Sequence, residues 1–517
     1  MSTVLETEPV AETPAPAMGH GETLAASVVI LLVMTVAQRL IGFGRGILFC
    51  RWLDPEQLGQ WDVAFGFLNL AASVAVLGLP GSFGRYIGYF RQRGQFASFL
   101  WRTSAVSVLV SIVTATIMII QRDKFSWLVF GTEDQSTTIV YLAICVAIII
   151  LHNHLTALFI AVRRYRIVTT LQFFQSLGFA IVSLGLMMIW PAVCASVIIG
   201  YTVATVLSGF GSVRCMRDLA AEEPSTGQAM PQAVFWAKLM PFAIWMWFTG
   251  FVANLFDLVD RYMIVHHSGM EANEALRQIG FYSSSRIVPL LFVAIAGLLG
   301  SMITPHLSHD WEMGRRRAVG RRLNTVLKLL ALVTYCGSTV MLFVAPILFH
   351  VVFQNKLEGG LVVLPWTLTY CTWFGMIGVA QNYLWCAERP ALSSLPLLVG
   401  LLLNIGLNLL WLPTYGLEGA VWATTLANLV ALVLVYVFSA RCGMKIDLGT
   451  WILTLVPASL SLGPWVSLCM LAALGLATVT GNRVFTIQEK QQAVEAVTHG
   501  WQKLRRHVGK LPEAAAD

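Results

Sequence analysis

Arg39 and Arg45 stand in an apolar run that begins near Leu24, where a guanidinium has little reason to be. At the centre of a bilayer such a group costs about 2.5–3.5 kcal/mol on insertion scales, so something must offset it. Four further charges interrupt later apolar runs: Asp257, Asp260 and Arg261, then Arg286. Asp257 and Arg261, spaced i, i+4, are expected to pair on one helix face. Asp260 is expected to meet Arg286 or Arg45 across helices. Four arginines against two aspartates leave a basic excess. Arg never deprotonates and grips phosphate through a planar fork, so a wet basic cavity suits an anionic, phosphate-bearing molecule. Arg39, Arg45 and Arg286 are the candidates to line it, with a snorkelling helix end as the plainer account of Arg45, close to Arg51.

Other polar points carry less chemistry. His152 and His154 could take a proton or an ion, as could Asp257 and Asp260, but histidines at a helix contact are the commoner case. Asn404 and Asn408, at i, i+4, suit helix-to-helix hydrogen bonds. His306, His309 and Asp310 follow Pro305 at a helix end, where solvated polar residues are ordinary. The nine cysteines form no CxxC pair, so no metal site or disulfide framework is expected. No Walker A run is present, and no cofactor is implied.

These residues need apolar spans to hold them, and the composition supplies them. Of 517 residues, 57% are hydrophobic and 12% charged, with mean hydropathy +0.71. A soluble chain carries roughly 25% charged residues. Apolar runs of spanning length recur from Leu24 to Val479, which predicts an all-α polytopic membrane protein. Spans are expected near 24–49, 60–80, 103–121, 138–161, 168–190, 192–213, 239–265, 281–304, 326–353, 362–386, 393–412 and 417–438. The stretch 450–480, broken at Leu462-Gly463-Pro464, is long for one span and short for two. Fourteen spans are expected, with 12 or 13 as the other counts the pattern allows.

Positive charge orients them. With the N-terminus in the cytoplasm, one set of loops gathers Arg85, Arg91 and Arg93, Arg163 to Arg166, Arg214 and Arg217, and the cluster from Arg315 to Lys328. The other set holds only Arg51, Arg122, Lys124, Arg277 and Lys356. That asymmetry predicts an N-in protein of the cytoplasmic membrane. The net charge of +7 is absorbed by orientation, and nucleic acid is not implied.

The chain also echoes itself. LGQWDVAFGF from Leu58 compares with IGFYSSSRIV from Ile279, and Gly178 and Pro191 answer to Gly400 and Pro413. Both halves start in the same orientation, so two six-helix lobes are expected as parallel repeats around a central cavity. The expected order is a disordered tail (1–22), an N-lobe (23–213), a cytoplasmic linker (214–238) and a C-lobe (239–440). Further membrane segments (441–482) and a basic amphipathic tail (483–517) follow. The first 22 residues lack Lys and Arg, unlike a signal peptide.

Several stretches carry a family resemblance. RWLDPEQLGQW (51–61), DLVDRYMIV (257–265), IGFYSSSRIVP (279–289) and LLLNIGLNLLWLPTYGLEGAVWATTLANLV (401–430) resemble bacterial polysaccharide-export flippases. Those belong to the multidrug/oligosaccharidyl-lipid/polysaccharide exporter superfamily. The resemblance implies alternating access and an undecaprenyl-diphosphate-linked oligosaccharide substrate, as for O-antigen, capsule or exopolysaccharide. It further implies a bacterial inner-membrane setting beside membrane lipids, a polysaccharide polymerase and glycosyltransferases. Arg39, Arg45 and Arg286 occupy places similar to the cavity arginines of peptidoglycan-precursor flippases. No second-helix arginine of their kind is found, which argues against that precursor. A multidrug and toxin extrusion antiporter is the alternative, though cation export favours an acidic cavity. A membrane glycosyltransferase, polymerase or ligase is the second alternative; it would want exposed catalytic carboxylates or a large outer loop.

Overall fold

A computed structural model describes residues 24–222 and 230–491, and no strand occurs among them. The expected tail over 1–22, the middle of the expected linker and most of the tail over 483–517 lie outside the described residues. The first half comprises α1 (Leu24–Trp52), α2 (Pro55–Ala75), α3 (Leu79–Gln92), α4 (Phe96–Ile120), α5 (Arg122–Phe130), α6 (Ser136–Ala161), α7 (Tyr165–Ile189) and α8 (Cys194–Glu222). The second comprises α9 (Gln232–His267), α10 (Ala272–Glu312), α11 (Arg316–Ile347), α12 (Glu358–Ala380), α13 (Asn382–Cys386) and α14 (Pro390–Arg441). After them come α15 (Leu448–Leu455) and α16 (Pro464–Thr480), joined through a tighter turn at Val456–Leu462.

Ten of these helices are long and apolar enough to cross a membrane, and the α2–α3 pair, bent by 42°, makes an eleventh. The bend falls at Leu77 and Gly78, both with positive φ. α14 reverses at Gly416 (φ 55, ψ −134), so its 52 residues make two passes. The two arms then touch: a Cβ at Gly400 would lie 3.3 Å from the Ala427 carbonyl. This is a multi-pass membrane protein, all-helical over the described residues.

Most helices outrun their expected spans. α10 runs over 41 residues and α9 over 36, each containing proline. α8 extends to Glu222, well into the stretch expected as linker. Periodic apolar sequence marks the hydrocarbon-facing part of a helix, while its polar ends continue into water with the same backbone geometry.

Within the first half α7 packs on α1 and α8, and α6 on α4 and α8; within the second, α14 packs on α9 and α12, and α10 on α12. The halves meet where α2 crosses α10. A Cβ at Gly59 would stand 1.8 Å from the Leu276 carbonyl oxygen, and one at Gly280 would stand 1.9 Å from that of Pro55. The shift in numbering that carries Gly59 onto Gly280 also carries Pro55 onto Leu276. The two repeat segments therefore touch through equivalent residues, and only glycine permits the approach.

The C-terminal segment forms a hairpin whose two ends meet. Gly449 lies against the Val484 carbonyl, and Lys328 on α11 reaches Asp447 at 3.1 Å and Glu489 at 3.0 Å. The two ends of this segment thus lie side by side. Lys328 belongs to no loop, contrary to expectation: it is 1% exposed inside α11. The hairpin's backbone is tied to its neighbours by Trp373 Nε1 donating to the Thr454 carbonyl (2.7 Å) and Thr369 donating to that of Pro457 (2.9 Å). Such bonds matter where water is scarce.

Candidate functional site

Arg39 and Arg45 line one cavity of about 410 Å³ between α1, α7, α8 and α10, with Gln172 and Gln175 also on its wall. Arg45 lies over the Phe179 ring at 3.9 Å and near that of Phe49 at 5.9 Å. Phe179 is itself wedged among Trp61 and Tyr201. The aromatic faces hold a partly desolvated guanidinium by its attraction to the ring quadrupole. Arg39 is exposed towards the cavity. Among the described residues neither arginine pairs with a carboxylate. Snorkelling does not account for Arg45, whose head is held against rings in the bundle interior.

The second pair of arginines lives differently. Arg261 Nε donates to Asp62 at 2.6 Å, and its Nη1 donates to the Asp257 backbone carbonyl and lies 3.6 Å from the Asp257 carboxylate. Arg286 Nη2 donates to Asp257 at 2.9 Å, and its Nη1 lies 3.9 Å from Asp62. Both guanidiniums are nearly enclosed, 4% and 7% exposed, while Asp257 at 57% keeps one side open. Two arginines thus face two aspartates across α2, α9 and α10. The expected Asp257–Arg261 contact is present. The structure does not bring Arg286 to the cavity of Arg39 and Arg45, and the expected basic excess is confined to those two residues.

Asp62 was absent from the expected set. The span expected at 60–80 put it at a helix end, whereas α2 starts at Pro55 and carries Asp62 two turns inside. The signal was the Asp54-Pro55-Glu56 opening, with proline in the first turn.

Asp260 is a second correction. It makes no ion-pair contact with Arg286 or Arg45 among the described residues. Its carboxylate accepts from Thr424 (2.7 Å), Asn404 (2.8 Å), Tyr282 (3.2 Å) and Asn408 (3.4 Å). The asparagines therefore do more than join α14 to itself: they solvate a buried acid on α9. No group of three or more His, Cys, Asp or Glu gathers among the described residues. His154 is fully engaged, one ring nitrogen at 3.0 Å from Ser104 Oγ and the other at 2.9 Å from Ser107 Oγ. His152 is buried beside Gln175. Asp310, expected at a solvated helix end, is instead buried within α10 and pairs with Arg322 at 2.6 Å.

Two unpaired arginines in one cavity, beside a balanced four-charge cluster, can be compared with known proteins. The model of the polysaccharide biosynthesis protein family matches residues 24–309. The chain belongs to this family. No curated protein matches it. Among solved structures, this family member is similar to a lipid II flippase, MurJ, in an inward closed conformation, at TM-score 0.68 and 14% identity, over 93% of this chain and 100% of that one. It is also similar to an inward-facing multidrug resistance MATE transporter of the MOP superfamily, at TM-score 0.63 and 12% identity, over 80% and 97%. A third is a MOP superfamily transporter from Pyrococcus furiosus described as having a binding pocket of reverse polarity, at 0.54 and 10%, over 80% and 93%. At such identities the likeness establishes the fold, which this chain shares with membrane transporters.

Proposed function

We propose that this protein is a flippase for an anionic, lipid-linked oligosaccharide, of the undecaprenyl-diphosphate-linked kind used for O-antigen, capsule or exopolysaccharide. The observation that carries the reading is the cavity wall of Arg39 and Arg45, cationic, inside the bundle and without carboxylate partners among the described residues. A phosphate group supplies the missing counter-charge and accepts both faces of an Arg fork. The multidrug antiporter reading, favoured by the MATE-like fold alone, asks for the opposite: a cation would be repelled by this wall. The balanced cluster of Asp62, Asp257, Arg261 and Arg286 joins α2 to α9 and α10. It is an inter-half tie that substrate-driven rearrangement has to loosen, as alternating access between the halves requires. Arg286 would reach the diphosphate only in such a rearranged state. The basic loops support a cytoplasmic N-terminus in a bacterial inner membrane, where polysaccharide polymerases and glycosyltransferases would be natural partners.

The test is Arg39→Ala beside Arg39→Lys, in cells dependent on this protein for polymer export. The alanine variant should reduce export at least tenfold with membrane protein levels near normal. Lysine should restore part, since it returns charge without the planar fork. Normal export by Arg39→Ala would remove the phosphate role.

A further inference from the structure

Between α2, α6 and α9 lies a second pocket, of about 300 Å³, with a different character. Its wall includes Asn69 and Ser73 from α2, Asn153 from α6, and Trp247 and Asn254 from α9. None of its lining residues is charged. The three asparagines stand well inside their helices, and Asn69 and Asn153 are exposed. An exposed amide within a spanning helix is tolerable where it meets a wet cavity and costly where it meets lipid.

Their hydrogen bonds point them outward. Asn69 Nδ2 donates to the Phe65 carbonyl at 3.1 Å, and Asn254 Nδ2 donates to that of Gly250 at 2.8 Å. Each spends one amide hydrogen on its own helix, which leaves its Oδ1 as an acceptor for a bound molecule. Trp247 is fixed by Nε1 donating to the Val74 carbonyl at 3.1 Å and by stacking on Phe251. Asn153 separates His152 from His154: the histidines are buried, and the asparagine between them is the one on the pocket wall.

Amide oxygens, a serine hydroxyl and an indole, without a charge, suit a neutral polyhydroxyl molecule. They lack the formal charge that would hold a diphosphate or a drug cation by ion pairing. The pocket also sits beside the basic cavity. Phe65 lines that cavity and Asn69, one helical turn or about 6 Å further along α2, lines this pocket. In a diphosphate-linked glycan the first sugar is bonded directly to the terminal phosphate, so adjoining phosphate and sugar sites match its chemistry.

We infer that this pocket receives the first sugar residues of the substrate while Arg39 and Arg45 receive its phosphates. The assignment rests on the flippase reading above. It makes the asparagines the determinants of glycan recognition and the arginines indifferent to the glycan.

The experiment measures binding to purified full-length protein of undecaprenyl diphosphate alone and of the same lipid bearing one glucose, galactose or N-acetylglucosamine. Wild type should bind at least one sugar-bearing lipid about tenfold more tightly than the bare one, the scale of one or two neutral hydrogen bonds. Asn153→Leu combined with Asn254→Leu should abolish that preference while holding bare-lipid affinity within twofold, which also reports an intact fold. Asn153→Gln alone should keep part of it. Arg39→Ala should weaken all the lipids alike. No preference for any sugar in wild type, or equal loss for bare and sugared lipid in the asparagine variant, overturns the sugar site and leaves the phosphate site standing. Unchanged binding of every lipid by Arg39→Ala overturns the flippase reading itself.

Discussion

The arginines of α1 and those of α9 and α10 all stand within long apolar helices, yet they are held in opposite ways. Arg261 and Arg286 are closed in by Asp62 and Asp257 at 2.6 and 2.9 Å. Arg45 rests on an aromatic ring, and Arg39 opens on a cavity. A buried charge with its partner in place is a structural tie; a charge without one is an unfilled site. Removing one member of a buried pair leaves the other uncompensated, which costs about 3–5 kcal/mol, whereas removing an unpartnered cavity charge leaves no orphan.

That difference gives the largest expected effect. Asp62→Ala should lower the thermal stability of detergent-purified protein by an amount on the order of 3–5 kcal/mol, because Arg261 loses its shorter ion-pair contact. Arg39→Ala should shift it by less than about 1 kcal/mol, the range of a surface change away from such features. Combining Asp62→Ala with Arg261→Leu should recover part of the loss, since the orphaned charge goes too. Equal destabilisation by Asp62→Ala and Arg39→Ala in unfolding scans would erase the distinction between tie and site.

Depth and periodicity made the fold readable in advance. The twelve apolar runs, the break between those at 393–412 and 417–438, and the self-similar segments at Leu58 and Ile279 were all visible as pattern. The Gly59–Gly280 crossing was not, because a repeat announces equivalence and says nothing of contact. Charges inside apolar runs were equally conspicuous, so Arg39, Arg45 and Arg286 could be named as one set. Their separation into two environments could not, because it depends on Asp62, hidden by a helix start drawn five residues late. Asn153 was passed over for its histidine neighbours; which residue of a triplet faces a cavity is set by helix rotation against α2 and α9, and composition does not record it.

A smaller effect separates charges that move from charges that stay. If the arginines remain with their helices while an anionic lipid crosses outward, each net negative charge gains about 2.3 kcal/mol per 100 mV of inside-negative potential. Flipping in proteoliposomes should then accelerate with an imposed inside-negative potassium diffusion potential and slow when it is collapsed. Coupling to sodium or protons would instead use Asp257, Asp260, His152 or His154. Of these Asp260 is the best placed, as its buried carboxylate is solvated by Asn404, Thr424 and Tyr282 without an ion-pair partner among the described residues. Transport that ignores potential, follows a sodium or proton gradient and is lost in Asp260→Asn would transfer the driving role to that acid.

The smallest effect extends the comparison to a third buried cation. Lys328 is enclosed like Arg261 and, like it, is partnered, so it should behave as a tie. Glu489 serves it at both oxygens, 3.0 and 3.1 Å, while accepting from Thr325 and from the Thr486 backbone in a Thr-x-x-Glu helix start. Burial alone would raise the Glu489 carboxyl, but the Thr486 backbone donor, Thr325 and Lys328 together hold it below its ordinary value of 4.5. A carboxyl depressed on folding contributes stability above its unfolded value and loses it as pH falls through the folded one. Hydrogen exchange over residues 448–490 should therefore be unchanged between pH 7 and 5 after correction for intrinsic rates, and protection should fall only below 4.5. Glu489→Gln should remove the acid sensitivity and leave Lys328 to Asp447 alone. Loss of protection already between pH 7 and 5 would show that another group holds the hairpin, and Lys328 would then stand with Arg39 as a charge whose partner is still to be found.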